Sequence, residues 1–199
     1  SSKGSAADLI DMIRRKAPEY LDLLTAESDS DFEKAFDSVL GQGVSYLEQN
    51  KQQFKKLDEV GISAALAGVM SIPGLTVSQE MHSGGHVDLT FEADHCTPPR
   101  RMLGEAKIYH GPVYHQGGLS QLIERYTTGR ECRGLVLAYV KQADITGLIS
   151  KVRKHLDDDL PLAQMGKTSD HLLKWSFISK HKHSSGEEIQ VCHLGCNLY

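Results

Sequence analysis

The chain has 199 residues, 40% of them hydrophobic and 24% charged, and a formal net charge of -4. That length supports one well-buried core with a small appendage, no apolar run approaches a bilayer span, and Cys96, Cys132, Cys192 and Cys196 are too few and too irregularly spaced for a disulfide framework. The expectation is a soluble cytoplasmic protein with reduced thiols and no membrane partner, and the acidic balance excludes a chain coated throughout in positive charge.

Ala6 to Thr25 spaces Leu9, Ile10, Met12, Ile13, Leu21, Leu23 and Leu24 at mostly helical intervals interrupted at Pro18, which predicts two short helices. Ser30 or Asp31 is placed to cap the next helix, Phe32 to Asn50, whose apolar residues Phe36, Val39, Leu40, Val44 and Leu47 recur every third or fourth position. Gly41 and Gly43 admit a kink or break there. Residues 1–50 thus form an acidic N-terminal helical segment without recognisable chemistry, suited to packing or to contact with a regulatory partner.

Residues 51–199 carry the chemistry. A helix from about Lys51 to Met70 holds Glu59 and ends at Ile72-Pro-Gly, and a first strand runs from Leu75 to Glu80. Ser83-Gly-Gly is a tight turn into a second strand, His86 to Glu92, where Asp88 and Thr90 face away from Leu89 and Phe91. Asp94 to Arg101, with two prolines, reads as a loop whose His95 and Cys96 are polar surface more readily than metal ligands. In the third strand, Met102 to Tyr109, alternation sets Glu105 and Lys107 on one wall. If the second strand pairs with it, Asp88 reaches the same wall. Two carboxylates beside an ammonium are what a divalent-cation site with a water-orienting group requires. Alone, an acid-x-Lys triplet is expected roughly once by composition in a chain of this length, and it equally describes a surface ion pair.

Ile108 to Gly118 is rich in glycine and histidine and predicts a long connector, able to close over a bound strand with His110 or His115 at phosphate, or to be an exposed loop with idle histidines. A helix from Leu119 to Thr128 would point Leu122 and Ile123 inward and offer Gln121, Arg125 and Tyr126 for polar contacts. Gly134 to Val140 is a near-continuous apolar run that suits a fully buried strand, and Ile145 to Leu156 is amphipathic and helical. Leu173 to Lys180 and Glu188 to Leu194 predict a hairpin turning at Ser184-Ser-Gly, extending the sheet or forming an edge. Its His181, His183, Cys192, His193 and Cys196 invite a zinc reading. Strand alternation separates neighbours, and Cys192 and Cys196 are four apart, so ordinary hairpin packing ranks above zinc. Between Arg100 and His155 basic residues outnumber acidic ones, as phosphate contact requires and as a solvated helix face also shows.

Three segments in order, Gly85-His-Val-Asp-Leu89, Gly104-Glu-Ala-Lys-Ile108 and Gln121-Leu-Ile-Glu-Arg-Tyr126, resemble the PD-(D/E)xK nuclease superfamily. Its core is a helix, three strands, a helix and a further strand, and the resemblance covers about residues 54–141. Val87 stands where the family name has proline. The resemblance implies an α/β fold: a restriction-endonuclease-like core, its central mixed sheet flanked by helices, with the N-terminal helical segment and C-terminal β-hairpin added. It implies Asp88 and Glu105 as ligands of Mg²⁺ (or Mn²⁺), Glu59 or Glu80 as an extra acid, Lys107 as the group that orients or deprotonates water, and Gln121 bracing the site. Arg125, Tyr126, His110 and His115 would touch nucleic acid, DNA before RNA because the family mostly cuts DNA. With no sequence-reading motif, the expectation is an effector in host defence or DNA processing, governed by a regulatory or sensor protein and able to act as a homodimer. The alternative is a catalytically silent nucleic-acid-binding or assembly subunit on the same fold.

Overall fold

The computed structural model describes residues 4–81, 87–96, 98–131 and 133–199, with side chains for all of these except 80, 81, 87 and 88. The turn expected at Ser83-Gly-Gly lies outside the described residues.

Pro18 divides the N-terminal stretch as its chemistry demands, into α1 (Ala6–Lys16) and α2 (Pro18–Leu24). Helix α3 (Asp29–Gln49) starts three residues earlier than the apolar spacing suggests, because Ser28 is the N-cap. The Ser28 hydroxyl accepts from the Asp31 amide at 3.1 Å, and the Asp31 carboxylate answers the Ser28 amide, so Asp31 serves in a capping box and not as the cap itself. Neither Gly41 nor Gly43 breaks α3. A Cβ at Gly43 would stand 2.9 Å from Met70 Cγ, so the missing side chain there brings two helices together. The single helix expected over residues 51–70 is two, α4 (Lys51–Phe54) and α5 (Glu59–Met70), because the Asp58 carboxylate accepts from the Gly61 amide at 2.8 Å and restarts the helix.

Three antiparallel strands follow, β1 (Thr76–Met81), β2 (Val87–Ala93) and β3 (Arg100–Ile108). The expected connector after β3 is mostly helical. With Pro112 at its first position, α6 runs Pro112–Gln121 and widens into a π-helical turn, Leu122–Tyr126, so the helix expected from Leu119 begins a full two turns earlier. Next come β4 (Gly134–Val140), α7 (Ile145–Asp159), the short β5 (Ser169–Asp170), β6 (Ser176–Lys182) and β7 (Glu188–Asn197).

The result is an α/β protein with a seven-stranded mixed sheet in the order β1-β2-β3-β4-β7-β6-β5. Pairing is parallel at β3–β4 and β4–β7 and antiparallel elsewhere. The C-terminal hairpin extends the sheet, but its second strand inserts beside β4 and leaves β5 on the edge. Every residue of β4 is buried, since helices cover both faces. On one face Phe32, Phe36, Leu40, Ile62, Leu66 and Met70 of α3 and α5 meet Leu89, Phe91, Leu137 and Tyr139. On the other, Leu119, Leu122, Val152 and Leu156 cover Val136, Ala138, Phe177 and Val191. Each fully buried Leu or Phe stabilises the fold by roughly 1.5–3 kcal/mol. Helix α3, within the N-terminal helical segment, packs into the first of these cores.

A buried ion pair ties α3 to the sheet. Arg133, at the mouth of β4, donates to both carboxylate oxygens of Asp37, and His171 lies 3.0 Å from Asp37 Oδ2 through Nε2. Burial opposes the charge on Asp37, yet the hydrogen bonds from His171 and Arg133 prevail and hold its carboxyl below the usual carboxylate range. Among the described residues no helix is long and apolar enough to cross a membrane.

Candidate active site

Strand alternation turns Leu103, Glu105 and Lys107 toward α6 and Met102 and Ala106 toward α5. Glu105 is 0% exposed and Lys107 4%, a carboxylate and an ammonium carried into the apolar face of a sheet. They survive there as a pair: Lys107 Nζ stands 2.7 Å from Glu105 Oε1. In the parallel register Glu105 neighbours Val136 and Lys107 neighbours Ala138, so β4 walls the pair with small apolar groups. Helix α6 closes over them at Gly118, where a Cβ would lie 3.1 Å from Lys107 Cε and 3.3 Å from Glu105 Cγ.

Lys107 opens on a depression of about 450 Å³ that it lines with His110, Val113, Tyr114, Gly117 and Gln121. The Lys107 ammonium stands 5.7 Å from the centroid of the Tyr114 ring, and His110 meets the same ring edge-to-face at 5.1 Å. Lys107, Gln121 and His110 are therefore brought together. The backbone register sets Asp88 of β2 directly across from Glu105, and Glu80 of β1 across from Asp88, while the side chains of both acids lie outside the described ones. Glu59, the first residue of α5, gives its carboxylate to the Ile108 amide at 2.9 Å, one residue past Lys107. Arg125 is exposed and Tyr126 half-buried on the π-helical turn, apart from the lining of the depression.

His115 goes elsewhere. It points inward from α6, 3% exposed, so it does not present itself to phosphate. Its Nε2 lies 2.8 Å from His193 Nδ1, His193 Nε2 lies 2.8 Å from Ser179 Oγ, Ser179 Oγ lies 2.7 Å from His181 Nε2, and His181 Nδ1 lies 3.1 Å from the Leu162 carbonyl. Burial drives all three histidines below their ordinary pKa, His115 to about 4, so at neutral pH each ring carries one proton. The Leu162 carbonyl can only accept, which fixes every proton in the series. His181 donates from Nδ1, Ser179 donates to His181, His193 donates from Nε2 to Ser179, and His115 donates from Nε2 to His193. The chain runs one way and locks α6, the lid of the Glu105–Lys107 pair, onto β6 and β7.

Ser179 and His181, two apart and therefore on one face of β6, are a visible sign of this chain, whereas nothing near His115 in the sequence distinguishes it from a loop histidine. Cys192 and Cys196 turn into the α3–α5 core, opposite His193, and burial pushes the Cys192 thiol up to about 12. Among the described residues no group of three or more His, Cys, Asp or Glu side chains is gathered to hold a metal ion. Comparison of the chain with protein-family models, with curated proteins and with solved structures gives no match.

Proposed function

We propose that the protein is a metal-dependent nuclease hydrolysing phosphodiester bonds, with DNA as its substrate. The observation that carries this reading is the buried Glu105–Lys107 pair on one face of β3, with Lys107 opening on a depression and Asp88 opposite Glu105 in the strand register. The element order α5, β1, β2, β3, α6, β4 supports it, agreeing with the helix, three strands, helix and strand that the resemblance implies.

The donor set fits a hard divalent cation: the Glu105 carboxylate, with Asp88 across from it, supplies oxygen ligands of the kind Mg²⁺ or Mn²⁺ takes. Glu59 already serves the Ile108 amide and stands as the extra acid only if it gives up that bond. When bound, the cation polarises the phosphodiester and lowers the pKa of water. The chain's own residues do the rest. Lys107 holds a positive charge where the scissile phosphate gains negative charge, and its place between Glu105 and Tyr114 fixes its aim. Gln121 closes the far wall and braces the site. Arg125 and Tyr126, on the turn that follows, flank the path of a bound strand.

On the same reading the enzyme is a regulated effector in host defence or DNA processing, working in the cytoplasm with a regulatory protein. Leu9, Ile10 and Met12, exposed along α1, offer that partner an apolar face, and on this reading the chain acts on DNA as a homodimer. One observation favours a second reading. A carboxylate with no exposure is poorly placed to receive a cation, as in a catalytically silent nucleic-acid-binding subunit.

Plasmid nicking decides between them. Wild type should nick supercoiled DNA with Mg²⁺ or Mn²⁺, and Asp88→Ala and Lys107→Ala should each lose at least about 100-fold in rate. Absence of cleavage together with absence of Mn²⁺ binding by calorimetry overturns the nuclease and leaves the silent subunit.

A further inference from the structure

The first turns of α6 put apolar and aromatic surface where a soluble protein usually hides it. Val113 is 74% exposed and Tyr114 43%, and the exposed His110 stands edge-to-face with Tyr114 beside the Lys107 ammonium. Neighbouring Gly117, where a Cβ would meet nothing within 4 Å, keeps the space over the ring open. The depression of about 450 Å³ is on the scale of a nucleoside, and pockets for small organic groups run from about 300 to 1,000 Å³.

Resting on the nuclease reading, we infer that this depression is a subsite for an unstacked nucleobase, which lies on Tyr114 while Lys107 faces the adjoining phosphate, so that the substrate is a single strand or a frayed end. A base inside a duplex has both faces taken by its neighbours and has none to offer Tyr114. An unpaired base has, and stacking on an aromatic ring is tolerant of sequence because every base has a π-face. That tolerance agrees with the wall of the depression, where Gln121 and His110 are the polar side chains besides Lys107 and the Tyr114 hydroxyl. Tyr114 here is a binding residue; the reacting atoms belong to the side of Lys107 facing Glu105.

The test measures binding without turnover. A fluorescein-labelled twelve-nucleotide oligothymidylate, single-stranded or annealed to its complement, is titrated with the full chain by anisotropy, with Ca²⁺ replacing Mg²⁺. Single strand should bind at least tenfold tighter than duplex. Tyr114→Ala should weaken the single strand by about 5- to 150-fold and the duplex by less than twofold, and Tyr114→Phe should retain binding, since the ring and not the hydroxyl does the stacking. Equal or tighter duplex binding, or an unchanged single-strand Kd in Tyr114→Ala with an unchanged melting temperature, overturns the inference. So does a wild type that binds neither probe but self-associates in sedimentation through Val113 and Tyr114, which marks a protein-docking face instead. Failure of the base subsite and failure of the nuclease are separable. Cleavage of the plasmid or of the single-stranded probe in Mg²⁺ with no Tyr114 effect on binding removes the subsite alone, whereas Tyr114-dependent binding with neither plasmid nor single-stranded probe cut in Mg²⁺ or Mn²⁺ removes catalysis and keeps the subsite.

Discussion

His115 on α6 donates its Nε2 proton to His193 Nδ1 on β7 across 2.8 Å, and three further links carry the series to the Leu162 carbonyl. The chain works only with every ring neutral. In the unfolded chain a histidine takes up a proton near pH 6.5, while folded His115 resists until about 4 and burial likewise holds His193 well below its ordinary value. Stability is therefore complete above pH 6.5 and falls as pH drops toward 4, because the unfolded state binds protons first. His115 alone accounts for roughly 3 kcal/mol of that loss. Urea unfolding at pH 7.5, 6 and 5 reads the slope directly; a midpoint unchanged across that range would show that the rings are not held neutral.

Gly118 sets the distance between α6 and the buried pair. Gly118→Ala places a methyl group 3.1 Å from Lys107 Cε and 3.3 Å from Glu105 Cγ, so both must give by a few tenths of an ångström. Alanine is also the better helix former by up to about 1 kcal/mol, which offsets the crowding in stability. The expected signature is a melting temperature changed by a few degrees at most and a nicking rate reduced about tenfold or more. A large loss of stability with activity per folded molecule intact would locate the role of Gly118 in packing alone.

Asp37→Ala strips Arg133 of its partner in a dry environment and should destabilise the protein by about 3–5 kcal/mol. Asp37→Leu with Arg133→Met should recover most of that loss, because a matched apolar pair leaves no charge stranded. The folded Asp37 carboxyl titrates below its unfolded value, so its contribution is present above about pH 4 and is lost as pH falls through the folded pKa. The wild type's acid limb should therefore continue below pH 4, and the double variant's should be shallower there.

Glu105→Gln keeps the shape of the site and removes its charge. Mn²⁺ binding followed by calorimetry should weaken by about 10- to 100-fold in this variant and remain at the wild-type value in Tyr114→Ala. Unchanged Mn²⁺ affinity in Glu105→Gln would remove Glu105 from the ligand set.

The pairing of Glu105 with Lys107 is legible in the sequence because it needs only the two-residue period of a strand, and β4 is legible because a seven-residue apolar run has few other uses. The two-helix start is equally local, a matter of one proline. What escapes is set by distant partners. Pro112 to Gly118 has the composition of a loop and no helical stripe, and it is helical because Gly118 fits over Lys107 and His115 finds His193. Gly43 looks like a break until Met70 arrives against it from another helix. The split at Asp58 is the reverse case, a local cap whose signal a long apolar spacing conceals.

The placement of β7 has a consequence for how the molecule comes together. Strand β4 pairs with β3 on one side and with β7 on the other, and β7 is made only after α7, β5 and β6. Until the β6–β7 hairpin docks, the most apolar strand of the protein exposes an open edge, a template for the edge of another chain. Closure over so long a separation is slow, so the folding intermediate should be a ready substrate for chaperones and a ready source of aggregates. The same event brings His193 to His115 and seats α6 over Lys107. A chain still being synthesised, with β7 unmade, therefore has its charged pair without a fixed lid, and whatever chemistry the pair performs waits for the final insertion.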